Sequence, residues 1–364
     1  MKWSNGGGRT PDLAMRAWFD LLTPKQVLLF RPVIEELQSG GGDVLATSRM
    51  YREIPPLAER AGLDLVYVGE RGRRGPEDQL LAATRRQTEI IPIVRDFRPD
   101  IAVSIASAVC ARVAFGLGIR HVAVNDSPHS EVAGRLSLPL SYHLLCPWVI
   151  PYRAWARYGL GRDQITTYRA LDPAAWLKRE PLGGPVPELD RSKKTITVRV
   201  QESDAPYLAK ADMTWTDKLL SSLIDQFPQT NLVALCRYDF QVDEIKGKFG
   251  ERCRVPDEVV SGHDLLAATD LFIGMGGTMS AEAALMGVPT ISAFQGSLFT
   301  DNYLISEGLL ARARSSSTLV STSKRFLAKG FRVAYRRKAK RVLDSMEDPV
   351  PKIAEFVAKV ANQA

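Results

Sequence analysis

The sequence lacks the features that mark several large classes of protein. No apolar run reaches the roughly 18 residues of a membrane span, and the polar, glycine-rich residues 1–12 contain no secretory signal and are expected to form a flexible leader. The 4 cysteines are widely spaced and form no Cys-x-x-Cys pair. We therefore expect reduced core cysteines in a cytoplasmic protein, with neither disulfides nor a metal site.

What is present is a globular composition with an excess of positive charge. Hydrophobic residues make up 45% of the chain and charged residues 24%, as in folded proteins. The 364 residues suffice for two domains. The formal net charge of +7 favours an anionic partner, and nucleotides, phosphorylated lipids, membrane surfaces and nucleic acids are all compatible with it.

Residues 271–294, LFIGMGGTMSAEAALMGVPTISAF, predict a strand, a glycine turn, a helix and a second strand. Gly276 and Gly277 permit a sharp turn and a close approach of the backbone to a ligand. Thr278 or Ser280 can cap the helix that follows. The free N–H groups at such a helix start, with the positive end of the helix dipole, suit a phosphate group.

Glu282 lies about one turn into this predicted helix. At that place a carboxylate can accept hydrogen bonds from ribose or sugar hydroxyls. The alternative interpretation is an ordinary strand–helix–strand crossover whose glycines serve packing alone, because glycine-rich turns are common in α/β proteins.

Strands and helices alternate along most of the chain, which predicts parallel sheets covered on both faces. The apolar, proline-containing residues 138–151 are expected to hold the last strand of the first half. Residues 181–194, rich in glycine, proline and charge, predict a linker, and two α/β halves imply a ligand-binding cleft between them. Strands are expected at residues 17–20, 44–47, 65–68, 101–105 and 122–124, and again at 195–200, 232–236, 271–273 and 290–292.

The end of the chain is basic and then amphipathic. Residues 324–341 contain many Lys and Arg residues, no acidic residue, and interleaved aromatic and aliphatic side chains. Such a segment could lie on an anionic membrane surface; the alternative is a solvated helix face with a few buried aromatics. Residues 349–361 predict a final amphipathic helix.

Three long segments carry a family resemblance: WFDLLTPKQVLLFRPVIEEL, RVAFGLGIRHVAVNDSPHSEVAGRLSLPL and DLFIGMGGTMSAEAALMGVPTI. They resemble the domain of unknown function 354 family, within the GT-B glycosyltransferase superfamily. The resemblance covers nearly the whole chain after the leader. It implies an α/β fold of two Rossmann-like domains whose parallel sheets face each other across a cleft. The acceptor side would be residues 13–180, the nucleotide-sugar donor side residues 195–345, and residues 346–364 would carry a helix packing back towards the N-terminal domain.

The lipid II-forming N-acetylglucosaminyltransferases of this superfamily have a small-residue turn before a helix whose glutamate holds the donor ribose. The segment from Gly276 to Glu282 is similar. Their N-terminal glycine-rich loop is absent here, and residues 22–26 occupy its place, where Lys25 could supply by charge what glycine amides supply elsewhere. Their next loop begins with Phe-Gln and continues to a polar pair that contacts the donor sugar. The resemblance implies such contacts for Gln295, Asp301 and Asn302.

The UDP-N-acetylglucosamine 2-epimerases are similar in other places. Their Gly-Thr-Arg-Pro loop resembles Thr23-Pro24-Lys25 in character, and their His-Val-Glu-Ala-Gly segment corresponds in place to residues 125–131, with a different order of residues. Their catalytic histidine, after the first strand of the second domain, has no counterpart in residues 199–204. This absence counts against 2-epimerase chemistry.

An inverting glycosyltransferase needs a base for the acceptor hydroxyl and stabilisation of the departing diphosphate. Asp126 and His129 follow a central predicted strand. His129 is the better base by its ordinary pKa, while Asp126 could orient it or be the base itself; the alternative is a simple turn with a solvated histidine. Lys25 and Arg199 are the cations expected near the diphosphate. No Asp-x-Asp motif is present, and the resemblance implies a metal-independent enzyme.

The favoured function is therefore transfer of a sugar from a nucleotide-sugar, such as a UDP-sugar, to a lipid-linked, phosphorylated or polysaccharide acceptor. The nucleotide-sugar is a substrate, and no cofactor is expected. The enzyme would work in the cytoplasm or at the inner face of the membrane. A 2-epimerase-like enzyme and a non-catalytic nucleotide-sugar-binding protein are the alternatives. Nucleic-acid binding is not expected, because no aromatic–basic platform of a known module is present.

Overall fold

The computed structural model describes residues 15–72, 75–200 and 213–363. The chain divides into two compact units. The N-terminal unit comprises Met1–Lys178 and Glu347–Ala364, and the C-terminal unit comprises Arg179–Met346. The predicted leader and residues 201–204 of the loop considered above lie outside the described residues.

The N-terminal unit is built on a parallel sheet of 7 strands. The strands are β1 (Arg16–Asp20), β2 (Asp43–Met50), β3 (Val66–Glu70), β4 (Ile101–Ser104), β5 (Arg120–Val124), β6 (His143–Pro147) and β7 (Ile165–Tyr168). Their order across the sheet is β3-β2-β1-β4-β5-β6-β7. The helices are α1 (Pro24–Ser39), α2 (Ile54–Ala61), α3 (Pro76–Phe97), α4 (Ala108–Gly116), α5 (Glu131–Ser137), α6 (Arg153–Ala156) and α7 (Ala174–Leu177).

Burial of the central strand β1 anchors this sheet. Trp18 and Phe19 are fully buried, and the Phe19 ring meets Phe30 of α1 edge-on with ring centroids 5.3 Å apart. Because β1 pairs with both β2 and β4, the order of the strands reverses between β1 and β4. Ligands of open α/β sheets bind at the carboxyl ends of strands near such a reversal.

The end of the N-terminal sheet differs from the sequence prediction. Residues 138–151 do contain a strand, β6, but β6 is not the last strand, because β7 pairs with it in parallel. The sequence of β7, ITTY, holds two threonines, and only Tyr168 is fully buried. An edge strand with half-exposed side chains has no continuous apolar run, so the prediction missed it.

The C-terminal unit has a parallel sheet of 5 strands. The strands are β8 (Lys194–Arg199), β9 (Thr230–Leu235), β10 (Leu271–Gly274), β11 (Thr290–Ser292) and β12 (Ala311–Arg312). Their order across the sheet is β12-β11-β10-β8-β9, so the order reverses between β8 and β10. The helices are α8 (Met213–Gln226), α9 (Asp239–Phe249), α10 (Gly262–Ala267), α11 (Thr278–Leu285), α12 (Phe299–Ser306), α13 (Ser316–Phe326) and α14 (Phe331–Ser345).

The last helix, α15 (Pro349–Ala361), belongs to the N-terminal unit. It packs against α1 and α7, with the ring of Phe356 4.4 Å from that of His143 between centroids. The predicted fold class, with two Rossmann-like parallel sheets and a C-terminal helix, is confirmed.

The basic segment 324–341 spans the end of α13 and most of α14. Its aromatic side chains pack on one another: the ring centroids of Phe326 and Phe331 are 4.7 Å apart, and those of Phe331 and Tyr335 are 5.9 Å apart. Phe326 and Tyr335 are buried. These rings are therefore core residues, and membrane contact by this segment remains a prediction that rests on charge. In the described ranges, none of the helices combines the length and the apolar character needed to cross a bilayer.

Candidate functional site

An ionic cluster lies at the carboxyl edge of the N-terminal sheet. The Lys25 ammonium Nζ is 2.6 Å from Asp126 Oδ1 and 2.7 Å from Asp172 Oδ2. Lys25 is on the first turn of α1, Asp126 follows β5, and Asp172 follows β7. The Asp172 side chain is fully buried, whereas Lys25 and Asp126 keep 17% and 10% of their side-chain surfaces exposed. We call these three residues the lysine cluster.

Local hydrogen bonds fix the two carboxylates. The Asn125 side-chain oxygen accepts a bond of 2.8 Å from the backbone N–H of Ser127, and the Ser127 hydroxyl donates to Asp126 Oδ1 at 2.7 Å. The Tyr168 hydroxyl donates to Asp172 Oδ1 at 2.5 Å. The sequence Asn-Asp-Ser thus folds into a tight turn in which the carboxylate of Asp126 faces Lys25.

The lysine cluster holds two carboxylates for one ammonium, and its pKa shifts reflect this. Burial lowers the pKa of Lys25, but Asp126 and Asp172 together outweigh burial, so the pKa lies above its ordinary value. Burial raises the pKa of Asp126, but the attraction of Lys25 and the hydrogen bonds bring it below the ordinary value. Burial also raises the pKa of Asp172, and repulsion by Asp126 keeps it raised despite Lys25. Asp172 is therefore the carboxyl group that takes up a proton first.

His129 lies in the turn after β5, and its side chain is half-buried. Burial lowers the pKa of His129; Asp126 acts in the opposite direction, while the positive charges of Lys25 and Arg157 lower it further. The net pKa lies below the ordinary value. At neutral pH the imidazole is therefore uncharged and able to accept a proton.

The glycine turn of the C-terminal unit lies where its strand order reverses. Gly276 and Gly277 have φ angles of 102° and 93°, a region that residues with a Cβ seldom adopt. They lead directly into α11. On the neighbouring strand β8, Arg199 is in register with Gly274, and its carbonyl accepts a hydrogen bond of 3.3 Å from the N–H of Met275. The Arg199 side chain therefore starts at the same sheet edge as the turn.

Two polar side chains of α11 are buried behind this turn. Ser280 is 1% exposed and its hydroxyl has no hydrogen-bond partner among the described residues. A Cβ on Gly274 would lie 1.9 Å from that hydroxyl oxygen, so a larger residue at the end of β10 would displace the Ser280 hydroxyl. Glu282 is 7% exposed. Thr278, which the sequence analysis offered as a cap, is the first residue of α11 itself, and Gly277 occupies the cap position.

The three residues assigned to sugar contact have different environments. Asp301 is 2% exposed and accepts a hydrogen bond of 2.7 Å from the Ser292 hydroxyl, and burial raises its pKa. Asn302 is exposed and accepts a bond of 2.9 Å from Arg312. Gln295 is also exposed, and its amide donates to the Ala293 carbonyl at 3.4 Å. Asn302 and Gln295 are thus accessible to a ligand, whereas Asp301 ties α12 to the end of β11.

The structure brings together the predicted residues Lys25, Asp126 and His129 in one unit, and Arg199 and the α11 turn in the other. Sequence reasoning missed Asp172 and Tyr168. Both belong to the strand that was overlooked, β7, and the loop after it. A signal was present: a short run of β-branched residues at 165–167 is followed, after four intervening residues, by the Asp-Pro pair at residues 172–173. Such a run favours a strand, and Asp-Pro favours a turn soon after it.

Across the described residues, no three or more His, Cys, Asp or Glu side chains form a group suited to a metal ion. The expectation of a metal-independent reaction remains a prediction.

The sequence model of the family described as "Protein of unknown function (DUF354)" matches residues 15–362. The chain belongs to this family. The predicted membership is thereby confirmed. A protein similar to this DUF354 chain is "Uncharacterized protein MJ0665" of Methanocaldococcus jannaschii. It is 24% identical over 311 residues, which cover 84% of this chain and 89% of that protein.

Solved structures share the fold of the DUF354 chain. The UDP-GlcNAc 2-epimerase from Neisseria meningitidis bound to UDP-GlcNAc is similar with a TM-score of 0.70 and 12% identity, over 96% of this chain and 100% of that one. The spinosyn forosaminyltransferase SpnP is similar with a TM-score of 0.59 and 18% identity, over 94% of this chain and 99% of that one. At these identities the likeness concerns the GT-B-type fold.

Proposed function

We propose that the chain is a metal-independent glycosyltransferase that moves a sugar from a nucleotide-sugar to a hydroxyl acceptor. The observation that carries the proposal is the presence, in one chain, of two sheet edges with different chemistry. One holds an uncharged, half-buried histidine beside a carboxylate, and the other holds a glycine turn and an arginine at a reversal of strand order. The first suits proton abstraction, and the second suits a diphosphate.

The donor is assigned to the C-terminal unit. The N–H groups at the start of α11 and the Arg199 guanidinium would bind the diphosphate and stabilise the charge that develops on it as the sugar departs. Glu282 would accept hydrogen bonds from the ribose. The similar fold of an epimerase that binds UDP-GlcNAc supports a nucleotide-sugar donor, and a UDP-sugar is the first donor to test.

The acceptor is assigned to the N-terminal unit. His129 would take the proton of the acceptor hydroxyl while that oxygen attacks the sugar carbon and the bond to the diphosphate breaks. Asp126 would stabilise the imidazolium that results. The Lys25 ammonium is already shared by two carboxylates, so Lys25 would hold Asp126 in place. Arg199, and not Lys25, would then bind the diphosphate. The acceptor class proposed is a lipid-linked, phosphorylated or polysaccharide hydroxyl.

Release of UDP from a panel of UDP-sugars tests this function. A transferase releases UDP only with an acceptor, so each sugar is incubated with and without lipid phosphates and oligosaccharides. Release without any acceptor would indicate the hydrolysing, epimerase-like alternative. Calorimetric binding of UDP without any release would indicate a binding protein, and no binding of any nucleotide would refute all three.

Two variants assign the roles. Glu282→Ala should weaken nucleotide-sugar binding measured by calorimetry while the circular dichroism spectrum stays unchanged. His129→Ala should abolish turnover while nucleotide-sugar affinity is retained. Unchanged affinity in the first variant would remove Glu282 from the donor site, and full activity in the second would put the base elsewhere.

A further inference from the structure

The turn that carries His129 is held through a single carbonyl group. Pro128 O accepts a hydrogen bond of 2.6 Å from Arg157 Nη2 and another of 2.7 Å from the Tyr158 hydroxyl. Arg157 Nη2 also donates to the Tyr158 hydroxyl at 2.6 Å. The three groups close a small ring of hydrogen bonds. Pro128 immediately precedes His129, so these bonds fix the peptide from which the imidazole extends.

Tyr158 is placed by packing as well as by its hydroxyl group. It is 4% exposed, and its ring lies against Gly134 of α5: a Cβ on Gly134 would be 2.6 Å from the ring carbon Cζ. Because α5 begins two residues after His129, its glycine makes room for the ring beside the turn. The guanidinium carbon of Arg157 lies 4.8 Å from the centroid of the same ring. We call Arg157 and Tyr158 the carbonyl clamp.

Arg157 differs from Tyr158 in also carrying a charge towards His129. The charged groups around the imidazole are Asp126 on its own turn, Lys25 from α1, and Arg157 from the segment after α6. Asp126 favours a proton on His129, and the two cations oppose it. Asp172 offsets part of the Lys25 charge through its ion pair. Arg157 is the second positive charge that opposes protonation of His129.

We infer that Arg157 and Tyr158 are positioning residues that fix the Pro128–His129 peptide and hold the imidazole in place as the base. Arg157 has the added role of disfavouring protonation of the imidazole, so that His129 stays uncharged in the resting enzyme. The inference rests on the proposed function for its meaning in catalysis, but its physical content is measurable in the protein without any substrate.

The test is a pH titration of the 4 histidines by nuclear magnetic resonance, with the His129 signal assigned by its loss in His129→Gln. Three variants separate charge from hydrogen bonding. Arg157→Gln removes the charge and Arg157→Lys keeps it. Tyr158→Phe removes only the neutral hydroxyl, which donates to the same carbonyl and accepts from Arg157. The pKa of His129 should rise in Arg157→Gln and stay close to the wild-type value in the other two. Burial lowers the pKa of His121 to about 4, so its signal serves as a reference that should not move.

An unchanged pKa of His129 in Arg157→Gln would overturn the charge role, and an equal rise in Tyr158→Phe would show that loosening of the turn, and not charge, is responsible. Gly134→Ala disturbs the carbonyl clamp in a second way, since the added methyl group would displace the Tyr158 ring. It should shift the His129 resonances without changing any charge; unshifted resonances would overturn the positioning role.

Measurements of activity provide an independent test of the charge role. If the wild-type chain transfers sugar, the acidic limb of its rate–pH profile should move to higher pH in Arg157→Gln, in step with the His129 titration. A wild-type chain without turnover would refute the proposed function, whereas the titrations would still decide the clamp.

Discussion

Replacing Lys25 with methionine should destabilise the N-terminal unit strongly. The change removes the ammonium that lies within 2.7 Å of both Asp126 and Asp172 and leaves two largely buried carboxylates without that partner. Removing one partner of a buried ion pair costs about 3–5 kcal/mol. Because the Lys25 side chain keeps 17% of its surface exposed, we expect about 3 kcal/mol, the lower end of that range.

The loss should depend on pH. In the wild-type chain the pKa of Asp126 is lowered, so its stabilising effect is present above the ordinary aspartate pKa and is lost as the pH falls through the lowered value. In Lys25→Met the carboxylates have no cation, so burial and mutual repulsion raise their pKa values and protonation relieves the strain. The difference in unfolding free energy should therefore be largest near neutral pH and should shrink in acid.

Urea unfolding followed by tryptophan fluorescence measures this loss, provided that the two units are distinguished, since chains with two units need not unfold in one step. Trp215 is the only tryptophan in Arg179–Met346. A Trp215→Phe background therefore confines the signal to the N-terminal unit. Lys352→Met is the matched control: its ion pair with Glu347 spans 3.3 Å with both side chains more than a third exposed, and its loss should cost about 0–1 kcal/mol. A Lys25→Met effect no larger than the control, or independent of pH, would refute the account of the lysine cluster.

Two further predictions concern the C-terminal unit. Gly274→Ala should destabilise it by about 1–3 kcal/mol through overpacking, since the new Cβ would lie 1.9 Å from the Ser280 hydroxyl. Adding Ser280→Ala should restore part of the thermal stability. A single variant as stable as the wild-type chain would contradict the described packing. Phe331→Ala should cost about 2 kcal/mol by removing a partly buried ring from the stack with Phe326 and Tyr335. Co-sedimentation with anionic vesicles should not change in that variant; a fall would show that this ring contacts lipid instead.

The alternation of strands and helices could be predicted because each element has a local pattern of residues in the sequence. The segment around α11 shows this well: a buried apolar run, glycines that require positive φ, and a Gly-x-Pro stop each leave a local signal. The strand β7 left none of comparable strength, since it lies at the sheet edge and buries only one side chain fully. In the basic segment 324–341 the sequence left two interpretations open, a membrane-facing surface and a solvated helix with a few buried aromatics, and the burial of Phe326 and Tyr335 depends on packing that no local pattern contains.

The lysine cluster shows why the candidate site was predicted only in part. Lys25 and Asp126 were both singled out from their places after predicted strands, but their contact depends on the pairing of β1, β4 and β5. The third member, Asp172, is brought in by the pairing of β5, β6 and β7. No local pattern contains that pairing. The role first expected of Lys25, a cation for a diphosphate, presumed an uncompensated charge, and only the fold brings two carboxylates to it.

The place of α15 in the N-terminal unit affects how the protein is made. Residues Val350, Ile353 and Val357 are buried, and the helix covers part of α1, which is translated more than three hundred residues earlier. Synthesis proceeds from the N-terminus and domains tend to fold as they emerge. The part of α1 that α15 covers must therefore stay uncovered while the entire C-terminal unit is being translated. A nascent chain stalled or truncated before α15 would keep that surface bare and would be a target for chaperones and for aggregation.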